Sequence, residues 1–128
     1  MSKINEILDE KQLFAIQYAV EEAFNKNFKA LLEAVDKIKE SSAHIEPKEI
    51  LQEAVNKIHT SYMDFDFIFE HVLNEKLFKN FYCYIDIENI NDYAFIVTAF
   101  YKKERYNIAV IHLTHNQMED LDAHLEII

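Results

Sequence analysis

Phe81-Tyr82-Cys83-Tyr84-Ile85-Asp86-Ile87-Glu88 is the stretch where the periodicity of this chain changes. Phe81, Cys83, Ile85 and Ile87 alternate with Tyr82, Tyr84, Asp86 and Glu88. A period of two marks a strand with one buried face and one wet face. Glu88-Asn89-Ile90-Asn91-Asp92 reads as the following turn, where Asn and Asp are the residues best able to adopt left-handed backbone. Residues 93–101 are apolar on both faces, as a central strand is. Lys102-Lys103-Glu104 then forms a charged hairpin turn, and residues 105–113 a third strand. Connections this short predict an antiparallel meander with 93–101 in the middle.

Upstream the period is that of a helix. Leu13, Ile16, Val20, Phe24, Phe28, Leu31, Val35 and Ile38 advance in steps of three and four, so one long helix is expected from Asp9 to about Glu40. Asn25 and Asn27 are its weakest points, where a bend would fall. Ile4, Ile7 and Leu8 suggest a short lead-in helix, with Asp9 as cap of the long one. Ser41-Ser42-Ala43-His44 reads as a break. Pro47 suits the first turn of a second helix that buries Ile50, Leu51, Ala54, Val55 and Ile58. A third helix is expected from Asp64 or Asp66, fraying near Lys79-Asn80. Thr114 and Gln117 have capping-box spacing and would open a last helix with Met118, Leu121 and Leu125 inward. The expected fold class is α+β: three N-terminal helices, the first one long, a three-stranded antiparallel meander and a C-terminal helix. They make two layers of one domain over residues 1–128.

The chain of 128 residues has no glycine. Phosphate-cradling loops, dinucleotide-binding turns and nucleophile elbows all use glycine where backbone meets ligand, so none of them can be written here. The formal net charge is −10, with Arg105 as the sole arginine. The excess is −3 over residues 1–60 and −7 over residues 61–128. Such a surface repels nucleic acid and anionic membranes and attracts basic proteins. Cys83 has no partner for an intrachain disulfide. Met1-Ser2-Lys3-Ile4-Asn5-Glu6 lacks the apolar run of a signal peptide, and no apolar stretch reaches the roughly 18 residues of a membrane span. The expected location is the cytoplasm.

Several groups invite a chemical reading. His112, His115 and His124 lie near Asp120 and Asp122 in sequence, residue types that bind divalent metals, but without HExxH or a cysteine pair. Asp86 and Glu88 share a strand face and could hold Mg²⁺, with Lys102 or Lys103 assisting from the next strand. Arg105 and His112, with six residues between them, resemble the ribonuclease motif of the HEPN family. There the motif opens a helix in a helical bundle. Here the residues between are strand-like, and strict alternation sends Arg105 and His112 to opposite faces. Cys83 falls in the inward set and reads as a small core residue.

Tyr82, Tyr84, Tyr93, Tyr101 and Tyr106 crowd the strands. Those facing away from the helices would mingle with carboxylates, good material for a protein interface. In size and charge the chain resembles bacterial immunity proteins that block nuclease toxins, and phage-encoded inhibitors that occupy nucleic-acid sites. The leading expectation is therefore an acidic binding protein that neutralises a basic partner and uses no cofactor. Its binding set is Tyr82, Tyr84, Asp86, Glu88, Asp92, Glu119, Asp120 and Asp122. Two alternatives stand beside it. One is a metal-dependent hydrolase or nuclease working through Asp86 and Glu88 or the histidines. The other is a structural protein that forms a homodimer through its long first helix.

Overall fold

A computed structural model describes residues 4–41 and 45–126. A short 3-10 turn at Ile4–Glu6 leads into α1, Glu10–Ser41, then α2, Pro47–Tyr62, and α3, Phe65–Leu73. The strands are β1, Lys79–Asp86, β2, Ala94–Tyr101, and β3, Glu104–His112. α4, His115–Leu125, closes the chain. The sheet is antiparallel in the order β1-β2-β3, so the α+β architecture is the expected one. Ser41 is the last residue of α1 rather than part of the expected break, and residues 42–44 lie outside the described residues, as do residues 1–3. None of the helices among the described residues is long and apolar enough to cross a membrane.

α1 runs unbroken for 32 residues, a rod of about 48 Å, without a break at Asn25 or Asn27. Asp9 caps it: Asp9 Oδ1 accepts the Gln12 N–H at 2.8 Å, and Gln12 Oε1 accepts the Asp9 N–H at 3.0 Å. Asn27 is accommodated because its side-chain amide donates to the Ala23 carbonyl at 2.8 Å. The helix buries Ile16, Val20, Phe24, Phe28, Leu31 and Val35 along one stripe. Phe24 stacks on Phe95 of β2, with ring centroids 4.5 Å apart, where the helical layer meets the sheet. α3 starts on Asp64, whose side chain accepts the Phe67 N–H at 3.0 Å. It ends at Leu73, earlier than expected, because Asn74 takes left-handed backbone as its C-cap. Phe65 and Phe69 of α3 close over Phe78 and Phe81 at the start of β1.

α4 begins with the expected capping box: Thr114 and Gln117 each satisfy the other's backbone N–H. Met118, Leu121 and Leu125 are buried, as the pattern predicts. Lys39 of α1 donates to the His124 carbonyl at 2.5 Å and pairs with Glu126 at 3.1 Å, placing a cation at the negative end of α4.

Both outer edges of the sheet are met by glutamine side chains. Gln17 of α1 bonds reciprocally with Val110 of β3, donating to its carbonyl and accepting its N–H at 3.2 Å. Its amide thus acts as one residue of a neighbouring strand. Gln52 of α2 donates to the Cys83 carbonyl of β1 at 3.1 Å.

The turn chemistry differs from expectation. Among the described residues, positive φ occurs at Asn74, Asn80, Lys102 and Glu126, and none of these lies within 88–92. That turn reverses through local side-chain bonds instead. Asp86 Oδ1 accepts the Glu88 N–H at 2.9 Å, and Asn89 Oδ1 accepts the Asn91 N–H at 3.0 Å. Asn80 lies where β1 shifts register between Lys79 and Tyr82.

Candidate functional site

The inward face of the sheet carries Cys83, Ile85, Phe95, Val97, Ala109 and Ile111, set against the helices. Tyr93, Tyr101 and Tyr106 also join the core side. The opposite face presents Tyr82, Tyr84, Thr98, Phe100 and Arg105 and carries no helix, since α4 packs on α1 and α2. Tyr82 is 43% exposed, and its ring lies 5.8 Å from that of Tyr84. Arg105 lies over the Phe100 ring at 4.4 Å and donates to Thr98 Oγ1 at 2.7 Å. Thr98 in turn donates to the Tyr82 carbonyl at 3.3 Å.

Along the outer edge of β1 the sheet and the first turns of α2 diverge, opening a groove of about 410 Å³. Tyr82, Tyr84, Asp86 and Glu88 line it from β1 and the turn beyond, over apolar ground from Leu51, Ile85 and Ile87. Half of the expected binding set is thus brought together. Lys48 and Gln52, which carried no signal in the sequence, face these residues from α2. Lys48 pairs with Glu88, and both side chains are exposed. That hydrogen bond, then the Glu88 charge, raises the Lys48 pKa above the ordinary lysine value, with Asp86 adding a smaller push.

The other expected acids serve different partners. Asp92 takes His112 Nδ1 at 2.8 Å, and Glu119 takes His115 Nε2 at 2.8 Å, four residues back on the same helix. Asp120 is exposed on α4. Asp122 accepts the Tyr93 hydroxyl at 2.6 Å and so belongs to the fold more than to a docking face. Tyr93 is only 1% exposed, and burial, then the bond to Asp122 and its charge, push its pKa up to about 12.

The chemical readings are redrawn by the geometry. His124 pairs with Asp36 of α1 at 2.8 Å, so the three C-terminal histidines each meet a different carboxylate. Among the described residues no three potential ligands gather around one point. Asp86 and Glu88 line one groove, where Asp86 accepts the Glu88 N–H and Glu88 pairs with Lys48. Lys102 and Lys103 follow Tyr101 at the far end of β2 from Ala94, the partner of Asp86, roughly 24 Å away at strand rise.

Arg105 and His112 lie on the same face, contrary to the alternation argument. β3 shifts register between Val97 and Thr98 of β2, which leaves Ile108 as an extra residue and restores the phase. They pair with Phe100 and Ala94 respectively, about 20 Å apart along the sheet, too far to act on one phosphate. Cys83 is fully buried, and burial pushes its thiol up to about 12, which keeps it protonated and unreactive.

By fold this is an α+β protein whose helices cover one face of a three-stranded meander. No family model matches the chain, and neither a curated protein nor a solved structure matches it.

Proposed function

We propose that the protein is a small acidic binding domain of the cytoplasm that docks on a basic protein and neutralises it, as an immunity protein or an inhibitor of a nucleic-acid-processing enzyme does. The observation that carries this reading is the juxtaposition of Tyr82 and Tyr84 with Asp86 and Glu88 on one open groove, in a chain of net charge −10. Tyrosines supply contact area at small entropic cost, and carboxylates steer a cationic partner to them. Catalysis has no comparable support: Asp86 of the groove holds a turn, and Glu88 and Lys48 form an ion pair.

The test is binding of an isolated basic partner across a salt series. Affinity is expected to fall steeply from low salt to about 0.5 M, where the Debye length shrinks to a few ångströms. Tyr82→Ala is expected to weaken binding by about tenfold, the size of a moderate interface anchor. Binding indifferent to both salt and Tyr82 would remove the reading.

The homodimer reading has one observation in its favour. Phe14 and Tyr18, one turn apart on α1, are 74% and 55% exposed. Sedimentation at two concentrations separates it from the first, because a dimer dissociates on dilution.

A further inference from the structure

The two edges of the sheet are closed to different degrees. On β3, Gln17 takes both the N–H and the carbonyl of Val110. On β1, Gln52 takes the Cys83 carbonyl, which shows that Cys83 turns its backbone outward. Tyr82 turns its own carbonyl toward β2, where Thr98 reaches it. The backbone period of two then directs the peptide groups of Ile85 outward as well, and Ile85 lines the groove. Beyond Gln52 toward the α2 N-terminus the groove lies between this edge and Lys48 and Leu51 of the helix. A second hollow continues past Lys48 and Ile87 and is lined by Glu46 and Glu49.

From this arrangement we infer that the C-terminal end of the β1 edge, at Ile85, receives an extended basic peptide segment as a fourth strand, a deepening that rests on the binding role proposed above. Main-chain pairing supplies affinity in such an addition, and alternate side chains supply selectivity. The surroundings specify the occupant's chemistry. Four carboxylates, Glu46, Glu49, Asp86 and Glu88, border the combined hollow against the single cation Lys48. Lys48 is held only by an exposed ion pair, which is weak and exchangeable. A lysine or arginine of the incoming strand takes its place on Glu88, and apolar side chains between the cations settle on Leu51 and Ile87. A second copy of this chain would bring a further −10 to the same acidic edge.

The test titrates the full chain with a peptide of alternating lysine and valine, about eight residues long, a usual strand length. Amide hydrogen exchange is followed residue by residue. A second peptide carries N-methyl groups on alternate amides, which keeps its charge and removes its pairing edge. Slowed exchange at the Ile85 amide with the first peptide, and affinity about tenfold or more lower for the second, as expected for lost backbone hydrogen bonds, support the inference. Equal binding of the two peptides overturns strand addition while leaving the basic-partner reading intact. Failure of both to bind at low salt overturns the two together. Protection at the same amide that grows with protein concentration alone makes the occupant a second copy, and also overturns the inference.

Discussion

Tyr93 shows how one side chain can leave a docking surface for the core. Its neighbours Asn91 and Asp92 are exposed, yet its ring is buried and its hydroxyl reaches Asp122. The folded pKa of about 12 stands above the ordinary tyrosine value of 10.0. The fold therefore favours the neutral phenol. Its contribution is fully present below pH 10, where both folded and unfolded states are protonated, and is lost as pH rises toward 12, where only the unfolded state readily ionises. Denaturant titrations at a series of alkaline pH values should show the natural protein losing roughly 2–3 kcal/mol more over that window than Tyr93→Phe. Parallel curves for the two proteins would mean that Tyr93 ionises freely when folded.

The absence of glycine is also settled residue by residue. Asn74, Asn80, Lys102 and Glu126 take the left-handed backbone, and Lys102 and Glu126 lack the short side chain that eases it. The turn at 88–92 was the place where the sequence suggested such backbone. The asparagine and aspartate side chains there stabilise a turn without positive φ instead, and both routes use the same residue types.

At the scale of elements, edge protection is the feature a pattern search misses. Gln17 sits beside the buried Ile16, and Gln52 beside the buried Leu51. In the sequence both look like ordinary polar positions off an apolar stripe. Their role depends on how far each helix lies from a strand edge, which local periodicity does not encode. Gln17→Met keeps the length of the side chain and removes both bonds to Val110. It should cost about 1–3 kcal/mol in urea unfolding, from one donor and one acceptor left unpaired. It should also increase aggregation, because an open edge pairs with other chains. A variant as stable and as dispersed as the natural protein would show that water serves Val110 equally well.

The elements read most accurately in the sequence are the ones with local grammar. The Thr114–Gln117 box, Pro47 in the first turn of α2, and the alternation in β1 all lie within a few residues of what they control. The extra residue at Ile108 in β3 is different. It exists only relative to β2, and it alone decides that Arg105 and His112 share a face.

For the whole molecule, the net charge of −10 acts on stability and on binding in opposite directions. Among the described residues lysine–carboxylate pairs form at Lys39–Glu126 and Lys48–Glu88, and the second is exposed on both sides. Self-repulsion between carboxylates is screened as salt rises toward about 0.15 M, where the Debye length is near 8 Å. The melting temperature should therefore rise with salt over the same range in which affinity for a basic partner falls. Calorimetry and a binding titration in matched buffers check the two trends. A melting temperature that drops with added salt would show that internal ion pairing outweighs repulsion.

The amino-acid sequence by itself determined the order and kind of the elements, the buried stripe of α1, the capping of α4 and the acidic balance. Each of these follows from residue types within a few positions or from a simple sum of charges. The tertiary structure alone decided which acids stand together. Asp86 and Glu88 share a groove with Tyr82 and Tyr84, while Asp122 is taken by Tyr93, Asp92 by His112 and Glu119 by His115. The physical reason is that hydrogen bonds and ion pairs act over a few ångströms in space, and their partners here come from strands, turns and helices whose proximity is set by packing of the shared core.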